Sequence, residues 1–267
     1  MRTLESNLEQ IRVELEINAS FSPAMFLDKM NELGLLTEVR LNFPVRPTRV
    51  IARKDRARPE HVACALSQSA YLSHYTALVL HDLTDDIPKI VYVTIPQPRK
   101  SDSRALTQEE IDDSMSRPAR ETTDIAQWSG FRIARLRGQD SGGLEIIERE
   151  LAGYPVRVTS IERTLIDVVV RPECAGGTHR ALEAFRRAQG RISVNRLVGI
   201  LRSLDYSYPW HQALGYYLER SGAYPAKSIA FVRRLPIELD FYLEHGIGKS
   251  GDYVPEWRLW IPRNFEP

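Results

Sequence analysis

The stretch VTSIERTLIDVVVRP, residues 158–172, carries Arg163 and Asp167 inside an apolar pattern. Four residues apart on a helix, a guanidinium and a carboxylate share one face and can pair. Such a pair can serve chemistry by orienting a substrate, or it can hold a scaffold together. The surroundings favour the scaffold. Ile161, Leu165, Val168 and Val169 form a buried stripe. Thr159 followed by Glu162 has the spacing of a capping box, and Arg171 falls in the last turn, where a cation suits the helix dipole. Each polar residue therefore has a structural role, and catalysis would need further groups converging from elsewhere.

Two other pairs invite chemistry. His74 and His81 are seven residues apart, whereas two histidines that share a metal on a helix stand four apart, as in H-E-x-x-H. They read as neutral core histidines with hydrogen-bond partners. Glu238 and Asp240 raise the possibility of metal-dependent hydrolysis of nucleic acid. Along that segment Ile237, Leu239, Phe241 and Leu243 alternate with Glu238, Asp240, Tyr242 and Glu244, the pattern of a half-buried strand. A nuclease of this kind would carry a lysine two residues after an acid, and the next lysine here is Lys249. No phosphate-cradling glycine loop and no G-x-S-x-G elbow occurs. The residues imply no catalytic set, no metal site and no cofactor.

Charge is uneven along the chain, although the net charge of the 267 residues is only +1. Between Arg40 and Arg58 stand seven basic residues (Arg40, Arg46, Arg49, Arg53, Lys54, Arg56, Arg58) against one acid, Asp55. A basic ribbon beside a helix suits phosphate contact, because neutralised phosphates release counterions. The same run also reads as a solvated linker. The preceding helix, residues 23–33, has Lys29 as its one base and is poorly equipped to read base edges. A second concentration, Arg180, Arg186, Arg187 and Arg191, lies on or just beyond a helix whose buried stripe is Leu182, Phe185 and Ala188. Glu183 can pair with Arg187, and the arginines are expected to point outward.

The elements that must position these residues fall into two groups. Leu4, Leu8, Ile11 and Leu15 mark an amphipathic helix over residues 3–17. A second helix over 23–33 and two strands flanking NFPVRP follow, so residues 1–59 read as a small winged-helix-like unit. Residues 60–267 mix strands and helices in an α+β arrangement. The expected helices cover 70–83, 106–115, 160–170, 179–189, 194–204 and 209–221. The expected strands cover 89–95, 131–136, 154–158, 237–243 and 257–261. Composition is that of a globular chain, 43% apolar and 27% charged. Cys64 and Cys174 form no C-x-x-C pair, no apolar run approaches a membrane span, and no signal peptide opens the chain, so a reducing cytoplasm is the expected setting.

Four long segments carry a resemblance. AYLSHYTALVLHDLTDDIPKIVYV, VTSIERTLIDVVVRPECAGG, ALEAFRRAQGRISVNRLVGILRSLDYSYPWHQALGYYLERSG and DYVPEWRLWIP strongly resemble the AbiEi-type antitoxins of abortive-infection, type IV toxin–antitoxin systems. The resemblance covers about residue 60 to the C-terminus. It implies a bacterial, non-enzymatic protein whose N-terminal winged helix represses its own promoter and whose larger domain counteracts a nucleotidyltransferase-like toxin. Under that reading Arg40, Arg46, Arg49, Arg53, Lys54 and Arg56 would contact promoter DNA. Arg180, Arg187 and Arg191 would face the acidic, metal-binding site of the toxin. Two other readings stay open: a DNA-binding regulator with no toxin partner, and a metal-dependent nuclease.

Overall fold

A computed structural model describes residues 22–54, 57–98 and 106–265. The helix expected over residues 3–17, and Arg56 of the basic run, lie outside the described residues. Helix α1 (Pro23–Glu32) starts at Ser22, whose side chain accepts from the Met25 amide at 3.2 Å. It leads into an antiparallel ribbon of β1 (Leu36–Leu41) and β2 (Thr48–Arg53), as the sequence predicts. Among the described residues this unit has one helix and one ribbon, which is short of a helix-turn-helix with a wing.

The alternation of the ribbon explains where it sits. Val39, Leu41 and Val50 point to one side and are buried, while Glu38, Arg40 and Arg49 point to the other. The buried side joins Val62, Leu72, Val93 and Ile133 in one apolar cluster. The ribbon is thus packed onto the rest of the chain, and a boundary at residues 59 and 60 runs through a shared core.

That rest begins with α2 (Pro59–Cys64), β3 (Tyr71–Leu72), α3 (His74–Leu80) and β4 (Ile90–Gln97). Then come α4 (Gln108–Ser116), β5 (Ile125–Trp128), β6 (Phe131–Gln139), β7 (Ile146–Leu151) and β8 (Tyr154–Thr159). Six of these strands form one mixed sheet in the order β5-β6-β4-β3-β8-β7. The single helix expected over 70–83 is split. Tyr71 and Leu72 slot between β4, antiparallel, and β8, parallel, and pairing on both edges overrides the helical pattern.

The second layer is helical: α5 (Ile161–Val170), α6 (Thr178–Arg187), α7 (Val194–Leu204), α8 (Trp210–Arg220) and α9 (Ala226–Val232). Helix α5 packs against α3, α6, α7 and α8. A small sheet, order β10-β11-β9, closes the far side with β9 (Phe241–Tyr242), β10 (Asp252–Val254) and β11 (Leu259–Ile261). Buried Gln212 on α8 holds it by donating to the carbonyls of Leu239 at 2.9 Å and Trp257 at 2.7 Å. Gly215 lets the Trp257 indole close onto α8, since a Cβ there would overlap that ring. The fold is α+β, as expected.

Candidate functional site

Helix α5 carries the first of the polar pairs, Arg163 with Asp167. Arg163 Nε donates to Asp167 Oδ1 at 2.8 Å, and both side chains are almost fully buried. Arg163 Nη1 reaches Ser141 Oγ at 3.3 Å and the Leu144 carbonyl at 3.4 Å. The guanidinium is therefore engaged in the interior. The N-cap differs from the expected Thr159. Ser160 accepts from the Arg163 amide at 3.3 Å, while Thr159 still belongs to β8 and bonds Thr164 Oγ1 at 2.7 Å. Glu162, freed from a capping box, instead accepts from Arg196 at 3.5 Å.

Both histidines are buried and partnered, as predicted. His81 Nε2 donates to the Thr159 carbonyl at 2.6 Å, which leaves Nδ1 as the acceptor facing Arg149 at 3.3 Å. Burial lowers its pKa. His74 Nδ1 meets Ser73 Oγ at 2.9 Å, and Ser73 in turn bonds Thr94 at 2.7 Å. Burial brings the His74 pKa down to about 4, so it is neutral at physiological pH. Burial also pushes the thiols of Cys64 and Cys174 up, to about 11 and about 12, which keeps both protonated.

The arginines of α6 do not point freely outward. Arg180 pairs with Asp86 and Glu183, and Arg187 with Asp85 and Glu183. Arg191 donates to the His81 carbonyl at 2.7 Å, and the Tyr75 hydroxyl to Asp86 at 2.8 Å. These bonds lash the loop after α3 onto α6. A hydrogen bond from Arg187 holds the Asp85 carboxyl below its ordinary range. The i,i+4 pair with Glu183 was legible; Asp85 and Asp86, about a hundred residues away, were not. Immediately beyond them Ile87 is 85% exposed, on a loop anchored on both charges.

The basic run is divided by the fold. Arg40 and Arg49 stand opposite each other on the solvent side of the ribbon, 69% and 72% exposed. Glu38 lies between them, 2.8 Å from Arg40 and 3.5 Å from Arg49. The Arg40 hydrogen bond lowers its pKa. Arg46 is exposed in the turn and Lys54 is exposed just past β2. Arg53 is different, with its guanidinium 5.5 Å over the Tyr154 ring of β8. Arg58 precedes α2 and lies 3.6 Å from Glu60. On α1 the lone base, Lys29, is paired with Glu32 at 3.1 Å.

Of the strand expected over 237–243, only Phe241–Tyr242 forms a ladder, parallel to β11. Asp240 accepts from Arg258 Nε at 2.8 Å and from the Tyr253 hydroxyl at 2.9 Å, a pair of bonds that ties the small sheet together. Among the described residues no group of three or more His, Cys, Asp or Glu side chains could hold a metal ion. Among them, too, no helix is long and apolar enough to cross a membrane.

No protein-family model matches the chain, and no curated protein does. Among solved structures, the fold is similar to the crystal structure of the Rv2827c protein from Mycobacterium tuberculosis. The TM-score is 0.52 at 16% identity, over 96% of this chain and 85% of that one. At this identity the likeness concerns the fold alone. It extends over the ribbon, the six-stranded sheet and the helical layer together.

Proposed function

We propose that this chain is an antitoxin of the AbiEi type, a non-enzymatic protein that counteracts a nucleotidyltransferase-like toxin and represses its own promoter. The observation that carries the reading is that three of the four resembling segments meet on α5, while the fourth packs against α8. The four supply β3, α3 and β4; β8 and α5; α6, α7 and α8; and β10 with β11. Helix α5 touches α3, α6, α7 and α8, its Arg163–Asp167 pair is consumed in the interior, and its Glu162 is taken by Arg196. The resembling residues thus build a common scaffold and leave no set of converging nucleophile, base and oxyanion donors.

The toxin-facing surface in this reading is α6 with the loop that Arg180, Arg187 and Arg191 hold in place. Exposed Ile87 is its apolar anchor, and the rim is Asp82, Asp85 and Asp86. A loop fixed before binding loses little entropy on docking. Promoter contact is assigned to Arg40, Arg46 and Arg49, which face solvent together. Such contacts position a protein on DNA without reading sequence.

Growth rescue tests the proposal. The neighbouring nucleotidyltransferase-like gene is expressed with and without this chain, and rescue by the wild-type chain is expected. Failure to rescue removes the antitoxin reading. If the chain still binds its own promoter, the regulator reading replaces it. Metal-dependent cleavage of nucleic acid that vanishes when Glu238 and Asp240 are changed to Gln and Asn would instead establish the nuclease.

A further inference from the structure

The face of the six-stranded sheet opposite the ribbon meets α5 across a polar cleft of about 210 Å³. Its inner wall is made by Tyr71 of β3, Thr94 of β4 and His74 at the start of α3. Leu136, Arg137 and Arg171 line both this cleft and an adjoining hollow of about 280 Å³, which also takes in Arg120. The two together fall in the range of small-ligand sites, roughly 300–1,000 Å³.

The charges here are unbalanced in a particular way. Asp124 is taken by Arg135 at 2.7 Å and Asp167 by Arg163 at 2.8 Å. Arg120, Arg137 and Arg171 are exposed and make no ion pair among the described residues, and Glu121 is the one lining acid not so engaged. Among the lining groups, three guanidiniums face one unengaged carboxylate, with Glu173 beside Arg171 just outside the lining. Other exposed arginines, Arg132, Arg202 and Arg234 among them, also make no ion pair among the described residues; Arg120, Arg137 and Arg171 are set apart by lining one recess.

The wall of the cleft is tightly built. At Gly138 a Cβ would stand 2.6 Å from Thr94 Cγ2 and 3.5 Å from the Tyr71 hydroxyl, so any side chain would intrude on this wall. His74 has φ of 51°, in the left-handed region that non-glycine residues rarely adopt. The Tyr71 hydroxyl has no side-chain hydrogen-bond partner among the described residues and lines the cavity.

We propose that this cleft binds a nucleoside polyphosphate, its phosphates held by Arg120, Arg137 and Arg171 and its nucleoside entering between the sheet and α5 against Tyr71. Planar guanidiniums give bidentate contact to phosphate oxygens. The hollow borders the ribbon through Val45 and Arg135 but uses none of the arginines assigned to promoter or toxin contact, so the proposal stands whether or not the antitoxin reading does.

The test is calorimetric titration of the full chain with ATP, GTP and inorganic pyrophosphate, at low and at elevated salt. Binding of the nucleotides is expected, with pyrophosphate competing and affinity falling as salt rises. The double variant Arg137→Ala/Arg171→Ala should weaken binding by about tenfold or more for each guanidinium, the scale of a charge-assisted hydrogen bond. Both side chains are exposed, so the melting temperature should stay at the wild-type value. Tyr71→Phe keeps the ring and removes the hydroxyl, and should weaken the nucleotides more than pyrophosphate. The proposal is overturned if none of the three probes binds at low salt, or if the double variant binds as well as wild type. Binding of an oligonucleotide but of no nucleotide would also overturn it, and would make the arginines a contact for a nucleic-acid backbone.

Discussion

Asp167→Ala separates the scaffold role of α5 from any chemical one. The substitution leaves the Arg163 guanidinium in place with side-chain exposure of only 4%. It removes the carboxylate and leaves neutral partners, among them Ser141 Oγ at 3.3 Å and the Leu144 carbonyl at 3.4 Å. Those neutral partners cannot compensate a buried cation. Removing one partner of a buried pair costs about 3–5 kcal/mol. For a chain of this size one kcal/mol moves the melting temperature by roughly 2–4 °C, so a fall on the order of 10 °C is expected. The companion variant, Arg163→Met with Asp167→Leu, removes both charges and fills the space with apolar atoms. It should recover most of the stability, because well-packed apolar replacements of buried pairs are often neutral or stabilising. Thermal melts read both effects, and growth rescue by the double variant reads function. A destabilisation below about 1 kcal/mol for Asp167→Ala would refute the buried-pair argument. A double variant that melts like wild type yet fails to rescue would refute the scaffold reading and give the pair a functional role.

Three further outcomes are expected. His74 is neutral in the fold with a pKa of about 4, whereas in the unfolded chain it takes up a proton near its ordinary value. Its contribution is therefore intact above about pH 6.5 and is lost as the pH falls toward 4, a total of about 3 kcal/mol. Melts across that window should be steeper in pH for wild type than for His74→Asn. On the ribbon, Arg40→Ala with Arg49→Ala should reduce promoter affinity and flatten its salt dependence by roughly one unit of slope for each phosphate no longer neutralised. Glu38→Gln should raise affinity, since Glu38 neutralises both arginines; equal binding by all three chains in a mobility-shift titration would show the ribbon to be off the DNA. Gly215→Ala should lower stability by about 1–3 kcal/mol despite the better helix propensity of alanine, because the new Cβ overlaps the buried Trp257 ring. A melting temperature at or above wild type would mean that the indole is free to move.

What the sequence made legible were the elements with strong local signals. Helix α7 begins at Ser193, and the ribbon runs on either side of NFPVRP, both as read from caps and alternation. The missed elements are weak locally. β7, IIEREL, is an edge strand with no fully buried residue, so its charges mask the alternation. β5 has four residues, too few to show a period. α2 has six residues and no side-chain cap. Tyr71–Leu72 reads as helix from its local pattern, because its strand identity is set by neighbours far along the chain. The same holds for the sites. The i,i+4 pairs of Arg163 with Asp167 and of Glu183 with Arg187 lie within one helix and could be read. The bonds of Arg187 to Asp85 and of Arg191 to the His81 carbonyl join distant segments and could not.

The arginines of this chain sort by what the fold does with their charge, and that sorting narrows where partners can act. Arg163 and Arg135 are consumed inside, each against one aspartate. Arg180 and Arg187 are half-buried and serve to fix a loop, so charge reversal there should act by releasing Ile87 rather than by removing a direct partner group. Arg40 and Arg49 face solvent but share Glu38, which limits how strongly the ribbon alone can hold phosphate. Arg120, Arg137 and Arg171 make no ion pair among the described residues and border a cavity. Being exposed, they carry no burial cost, but three like charges lining one recess repel one another, and a bound polyanion relieves that repulsion. By that reasoning the paired loop on α6 suits a protein partner, the ribbon a weakly held polyanion, and the cleft beside α5 a small one.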